Sequence, residues 1–186
     1  LALDKRQVRR SFERAAASYD AAAALQREVA LRALGRLDLV KLDPARILDA
    51  GSGTGFAAQA LSQRYPRATL LELDFALSML RCARARVPRW RNWLGKSRQM
   101  FVCGDNEQLP IRNDAVAMVW SSLAFQWAAD LPRVFGECLR VLQPGGLLSF
   151  TTFGPDTLRE LRHAFAGTDG SVHVNRFVDM HDIGDQ

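Results

Sequence analysis

The stretch Ile47-Leu48-Asp49-Ala50-Gly51-Ser52-Gly53-Thr54-Gly55 decides how this chain folds. Two branched apolar residues close a buried strand, an acid follows, and three alternate glycines carry the chain into a helix. Glycine takes positive φ at little cost and lets a ligand approach where a Cβ would collide. The exposed N–H groups of such a loop, with a helix N-terminus behind them, favour an electron-rich ligand.

On the N-terminal side, residues 4–17 read as a helix with Val8, Phe12 and Ala15 or Ala16 on one face. Ser18-Tyr19-Asp20 interrupts it, and Asp20 is the expected N-cap of a second helix reaching Val40. Its apolar stripe is Leu25, Val29, Ala30, Leu34 and Leu37, and Pro44 precedes a first strand at 46–50. On the C-terminal side, helices are expected at 56–65, 77–86 and 131–142, and strands at 68–73, 100–103, 115–120 and 147–152. The fourth of the five strands is almost wholly apolar and therefore central. The segment 87–98, with Trp90 and Trp93, reads as an insertion or an extended helix end. Strand and helix alternate through five units, which implies an α/β fold with a doubly wound, mainly parallel, Rossmann-like sheet. The expected organisation is a helical cap over 1–43 and the sheet domain over 44–186.

Composition sets outer limits. The chain has 186 residues, 48% hydrophobic and 24% charged, which suits one soluble globular domain. Neither a membrane-spanning apolar run nor a signal-peptide pattern is visible, so a cytoplasmic protein is expected. Cys82, Cys103 and Cys138 are odd in number and far apart, and read as buried free thiols in a reducing compartment. His163, His173 and His181 form no ligand-spaced cluster, so no metal site is expected. The net charge is +5. Basic residues concentrate at Arg81, Arg84, Arg86, Arg89, Arg91, Lys96 and Arg98, within a run that holds no acid. Such a run suits a solvated face, or a dock for an acidic partner. No nucleic-acid motif accompanies it.

In doubly wound sheets, ligands bind beyond the carboxyl ends of the strands. The first strand ends in the glycine loop, the second at Asp74, the third before Asp105 and Asn106, and the fourth at Ser121-Ser122. A carboxylate at Asp74 can take two ribose hydroxyls, and Asp105 can accept from the exocyclic amine of adenine. Each acid taken alone also reads as a helix N-cap. Three loop types compete. A Walker loop needs Lys-Ser or Lys-Thr after its last glycine, but Phe56-Ala57 follows. The dinucleotide fingerprint needs a glycine at Phe56, and Asp49 would repel a pyrophosphate. The third type holds S-adenosylmethionine, whose sulfonium and α-ammonium suit Asp49.

The segments 48–55, Gly104-Asp105-Asn106-Glu107-Gln108-Leu109-Pro110 and Leu142-Gln143-Pro144-Gly145-Gly146 resemble, in order, motifs of the class I methyltransferases. Further stretches at 12–20, 25–27, 120–127, 152–161 and 174–177 narrow the resemblance to the malonyl-acyl-carrier-protein O-methyltransferase family of biotin synthesis, over nearly the whole chain. The resemblance implies methyl transfer from S-adenosylmethionine to the free carboxylate of a malonyl thioester, yielding S-adenosylhomocysteine and the ester that begins pimeloyl synthesis. It places Tyr19, Gln26, Asp49, Gly51, Ser52, Gly53, Gly55, Asp74, Met79, Asp105, Asn106 and Ser121 around the donor. It places Gln126 and Trp127 with Ser121 on the acceptor side, and Arg176 on the malonyl group. Tyr19, Gln126 and Arg176 are the candidates for positioning the acceptor. The implied partner is an acidic acyl carrier protein docking on Arg81, Arg84, Arg86, Arg89 and Arg91. Two departures stand out: Ser122 replaces an expected Asn, and the family would continue beyond Gln186 into two more strands and a helix, so C-terminal strands are expected to be missing from this chain. The rival readings are a complex I assembly hydroxylase-like protein and a non-catalytic donor-binding module.

Overall fold

The structure, a computed structural model, describes residues 4–88 and 98–165. The expectations on Arg89, Arg91, Trp90, Trp93 and Arg176 lie outside the described residues.

Five parallel strands form one sheet: β1 (Arg46–Ala50), β2 (Thr69–Asp74), β3 (Gln99–Cys103), β4 (Val116–Ser122) and β5 (Leu142–Thr151). Their spatial order is β3-β2-β1-β4-β5, so strand order reverses between β1 and β4. The glycine loop leaves β1 at that reversal. The helices are α1 (Lys5–Ala15), α2 (Tyr19–Ala22), α3 (Ala24–Arg36), α4 (Ala58–Arg64), α5 (Leu77–Arg86), α6 (Leu131–Val141) and α7 (Arg159–Phe165).

Side-chain alternation splits the core into two layers. Leu48, Ala50, Leu73 and Val119 meet Val134, Phe135, Cys138 and Val141 of α6. Ile47, Leu70, Met118 and Trp120 meet Ala33 and Leu37 from the N-terminal helices and Ala58 and Leu61 of α4. Val116 shares a layer with Val119, an odd spacing made possible by a register shift between Val116 and Met118. With both faces covered, β4 reads as a continuous apolar run. A smaller cluster joins Phe12 and Ala16 to Ala76 and Met79, packing α1 against α5.

Four expectations need correction. Asp20 caps no helix: it lies within α2, while Ala23 precedes α3 without a side-chain cap. Its carboxylate instead accepts from Thr54 Oγ1 at 2.6 Å and pairs with Arg86. The buried stripe of α3 is Ala30 and Ala33, continued by Leu37, whereas Leu25 is 55% exposed. Cys103 is exposed, although all three thiols are free. Finally, β5 begins at Leu142 and runs through Pro144-Gly145-Gly146. A Cβ on Gly146 would come within 2.9 Å of Gln143 O and 3.1 Å of Ala117 O, so this tight passage needs glycine.

Candidate functional site

The glycine loop is an arch held by main chain. Gly51, Gly53 and Gly55 all have positive φ, at +80°, +56° and +77°. Gly51 N and Ser52 N donate to Leu73 O at 2.8 and 2.9 Å, tying the arch to the end of β2. A Cβ on Gly51 would stand 2.2 Å from Ala124 Cβ, and one on Gly55 2.7 Å from Glu72 Oε2. Those two positions therefore require glycine for space as well as for φ. At Gly53 nothing lies within 4 Å, and φ alone makes the demand.

Two cavities meet at the arch, with Tyr19, Gly51, Gly53 and Ser122 lining both. One is walled by Phe12, Asp74, Phe75, Met79, Asp105, Asn106, Ala124 and Trp127, with Lys5 at its edge. Its apolar surfaces and terminal carboxylates suit a flat base on a ribose. The other is walled by Gln26, Arg27, Asp49, Ser52, Thr54 and Trp120. It offers one cation and one buried anion, the pair that an α-amino acid zwitterion needs.

Asp49 Oδ2, Ser52 Oγ and Asn106 Oδ1, all on these walls, are buried without a hydrogen-bond partner among the described residues. Buried polar atoms are normally paired, and each one left bare costs about 1–3 kcal/mol. They are an amide oxygen, a hydroxyl and a carboxyl oxygen that accepts once ionised, a set suited to a ligand carrying N–H or O–H donors.

The local charge agrees. Asp74 is buried, with Oδ2 accepting from Gly53 N at 2.9 Å and Oδ1 from Ala76 N at 2.8 Å. Burial pushes its carboxyl up to about 6, against the pull of those N–H donors. Burial also holds the Asp49 carboxyl well above the usual range, reinforced by Glu72 and then Asp74. Tyr19 is raised by burial, by Asp74 and by Asp20. An acidic, desolvated floor of this kind attracts a cation and repels a phosphate.

Above the floor, α1 forms a cap fixed by contacts distant in sequence. Lys5 Nζ pairs with Asp105 Oδ2 at 2.5 Å and with Glu107 Oε1 at 3.0 Å. Glu13 accepts from Leu77 N at 2.7 Å and Ser78 N at 2.9 Å, capping α5 from another helix. Its carboxyl is held below the usual range chiefly by the Ser78 side chain, with those N–H groups adding to it. Phe12 stacks edge-on against Trp127 at 5.4 Å and tilts against Phe75 at 5.9 Å. Arg86, Asp20 and Thr54 join α5, α2 and the arch in one network.

Of the predicted residues, Tyr19, Gln26, Asp49, Gly51, Ser52, Gly53, Asp74, Met79, Asp105, Asn106 and Trp127 line one or both cavities. Gly55 lies beneath the arch, against Glu72 and Ala83. Ser121 lines neither cavity: it is fully buried and its Oγ donates to Ala50 O at 2.7 Å, bracing β4 on β1, and Ser122 takes the wall position instead. Gln126 also stands behind the walls, with Nε2 donating to Leu123 O at 2.6 Å and Oε1 buried without a partner among the described residues. Arg27, Lys5, Phe12 and Glu13 were not anticipated as site residues. The only sequence signal for Arg27 was its place beside Gln26.

Comparison with known proteins agrees with this fold. The methyltransferase domain family matches residues 48–150. The chain is 53% identical over 183 residues to malonyl-[acyl-carrier protein] O-methyltransferase of Gallionella capsiferriformans, covering 98% of this chain and 63% of that one. It is 55% identical over 189 residues to the protein of the same name from Laribacter hongkongensis, covering 98% and 62% respectively. The chain thus spans somewhat less than two thirds of the length of these curated relatives. A solved S-adenosylmethionine-dependent methyltransferase of Thermotoga maritima superposes with a TM-score of 0.65 at 19% identity, covering 94% of this chain and 76% of that one, and supports the fold.

Proposed function

Because the chain belongs to the methyltransferase domain family, we propose that it transfers a methyl group from S-adenosylmethionine to the free carboxylate of a malonyl thioester borne by an acidic acyl carrier protein, the activity for which its relatives are named. The observation that carries the donor half is the second cavity. There Arg27 and a buried Asp49 with an unpartnered oxygen offer complementary charges for a carboxylate and an ammonium. Across the arch, Asp74 would hold the ribose, Asp105 and Asn106 the adenine edge, and Phe75 and Met79 its faces. The N-terminal helices over 1–43 act as a cap on the donor domain.

When bound, S-adenosylmethionine would supply an electrophilic methyl on a sulfonium, whose positive charge, like the negative charge of an acceptor carboxylate, would be lost on transfer. A malonyl carboxyl has a pKa of about 3–4 by analogy with other carboxyls, so no base is required at neutral pH. The protein's task is therefore placement and exclusion of water. Phe12, Trp127 and Tyr19 seal the cleft, and their apolar bulk keeps the acceptor carboxylate poorly solvated. Strong ground-state pairing of that carboxylate would not speed the step, because its charge disappears in the transition state. Tyr19, which lines the cleft, and Arg176 remain candidates for positioning the acceptor, while Gln126 would have to leave Leu123 O to reach it.

The carrier would dock on the exposed arginines of α5, Arg81 and Arg84, together with the exposed Arg6, Arg10 and Arg14 of α1, which packs against α5. Its acidic surface would meet a basic ridge beside the cleft mouth. Among the described residues no helix is long and apolar enough to cross a membrane, and free thiols suit the reducing cytoplasm in which we place the reaction. The test is incubation with S-adenosylmethionine and malonyl-loaded carrier, or malonyl-coenzyme A, followed by mass analysis. Ester on the carrier supports the proposal. Donor binding without ester would leave a binding module. Arg81→Glu with Arg84→Glu should impair the carrier substrate and spare the coenzyme A thioester.

A further inference from the structure

The donor reading uses Asp49 but leaves unexplained the acid beside it. Asp49 and Glu72 are direct partners on adjacent parallel strands, so their side chains leave the same face of the sheet at the same level. They are 2% and 0% exposed. Neither oxygen of Glu72, nor Oδ2 of Asp49, has a hydrogen-bond partner among the described residues. Gly55 closes over the pair, since a Cβ there would lie 2.7 Å from Glu72 Oε2.

The charged groups around the pair can be named element by element. Asp74 follows two residues along β2 on the same face. From α5, Arg86 acts on Glu72, but its guanidinium is paired with Asp20 of α2 and reaches Thr54 at 3.5 Å. From α1, Glu13 acts on Asp74 and adds negative charge. From α3, Arg27 lines the same cavity as Asp49, with Nη1 donating to Asp20 O at 2.6 Å. No side chain of this set places a cation in hydrogen-bond contact with either carboxyl among the described residues. Two adjacent carboxylates in such a setting cannot both ionise, and they titrate as a pair. Burial lifts Glu72 to about 7, with Arg86 opposing, and holds Asp49 well above the usual carboxyl range, with Glu72 and then Asp74 adding to it.

We propose that Asp49 and Glu72 form a coupled pair beneath the glycine arch that is doubly protonated without ligand, and that a ligand ammonium settling on Asp49 drives the Asp49 proton to solvent while Glu72 stays protonated. Glu72 is thus a positioning residue: its neutral carboxyl allows Asp49 to carry the single negative charge that the ligand meets. The inference rests on the donor reading of the cavity. It predicts that affinity rises with pH below the titration of the pair, by about tenfold per unit where one full proton is released.

The experiment is calorimetric titration of S-adenosylhomocysteine into the protein near neutral pH, in buffers of different ionisation enthalpy. About one proton should be released by the native protein, and clearly less by Glu72→Gln, whose affinity profile should move to lower pH. Equal release and equal profiles in the two proteins, or none in the native, would overturn the pair. A ligand-free arm separates this from the donor reading. An acid whose folded pKa is raised binds protons more tightly in the folded state, so native stability falls as pH rises from about 4.3 towards 7. The melting-temperature advantage of Glu72→Gln over native should therefore grow across that window, and Asp49→Asn should flatten the same slope if the glutamine variant does not fold. A constant difference for both variants overturns the pair even if the ligand binds. A growing difference with no binding at any pH keeps the pair and discards the donor reading.

Discussion

Below the cleft, the carboxyl ends of β1 and β2 present buried acids, of which Asp74 is held by main-chain N–H groups; above it, α1 is held by side chains, with the half-buried Lys5 at its start. The floor owes its shape to positive-φ glycines and to N–H donors from Gly53 and Ala76. The cap owes its position to Lys5, Glu13 and the Phe12 aromatic contacts. One wall cannot move without breaking the fold. The other is joined to the sheet domain by a few polar contacts and one small apolar and aromatic cluster. Lys5 also pairs with Asp105, the carboxylate proposed for the adenine edge.

The contrast is broken most severely at Gly51. Gly51→Ala forces a Cβ to within 2.2 Å of Ala124 Cβ at φ +80°. It should destabilise the protein by about 2–5 kcal/mol in chemical denaturation. Gly53→Ala meets only the φ penalty, since no atom lies within 4 Å, and should cost about 1–2 kcal/mol. Similar losses at both positions would contradict a sterically locked floor. Next comes Asp49→Asn, expected to weaken S-adenosylhomocysteine by roughly 100-fold, the scale of a lost charged hydrogen bond of about 2–3 kcal/mol. Its stability at neutral pH should rise, because the raised Asp49 carboxyl is a folded-state liability above the unfolded pKa.

The cap variants should act more gently. Glu13→Gln weakens acceptance from two N–H groups at the start of α5, and about 1 kcal/mol should be lost, read as a lower melting temperature. Because the Glu13 carboxyl is held low in the fold, that difference is present above its unfolded pKa and should vanish as pH falls through its folded one. The smallest change is Lys5→Met, with stability altered by less than about 1 kcal/mol. Stopped-flow release of S-adenosylhomocysteine should nevertheless quicken, because the latch to Asp105 and Glu107 is gone. An unchanged release rate would show that α1 is fixed by packing alone.

The floor was legible in the sequence because its chemistry is local. The glycines, Asp49, Asp74 and Asp105 announce themselves by spacing at strand ends. The cap was not, because its meaning lies in partners far along the chain. Asp20 reads as an N-cap until Thr54 is found beside it, 34 residues away. Glu13 finds Leu77 across 64 residues and Lys5 finds Asp105 across 100. No periodicity encodes such pairs. Ser121 and Ser122 show a finer limit: with a strand period of two, one residue decides between bracing β1 and facing the cleft. Glu72 was hidden for a related reason, because an acid in a strand looks surface-exposed until both faces of the sheet are covered.

The measurement that bears most directly on the whole account is mass spectrometry of a malonyl-loaded acyl carrier protein after incubation with this protein and S-adenosylmethionine. The account predicts a gain of one methylene unit on the malonyl group, with matching S-adenosylhomocysteine, and loss of both in Asp49→Asn at limiting donor. An unmodified carrier in the presence of bound donor, or a methyl group found on the carrier polypeptide instead, would contradict it.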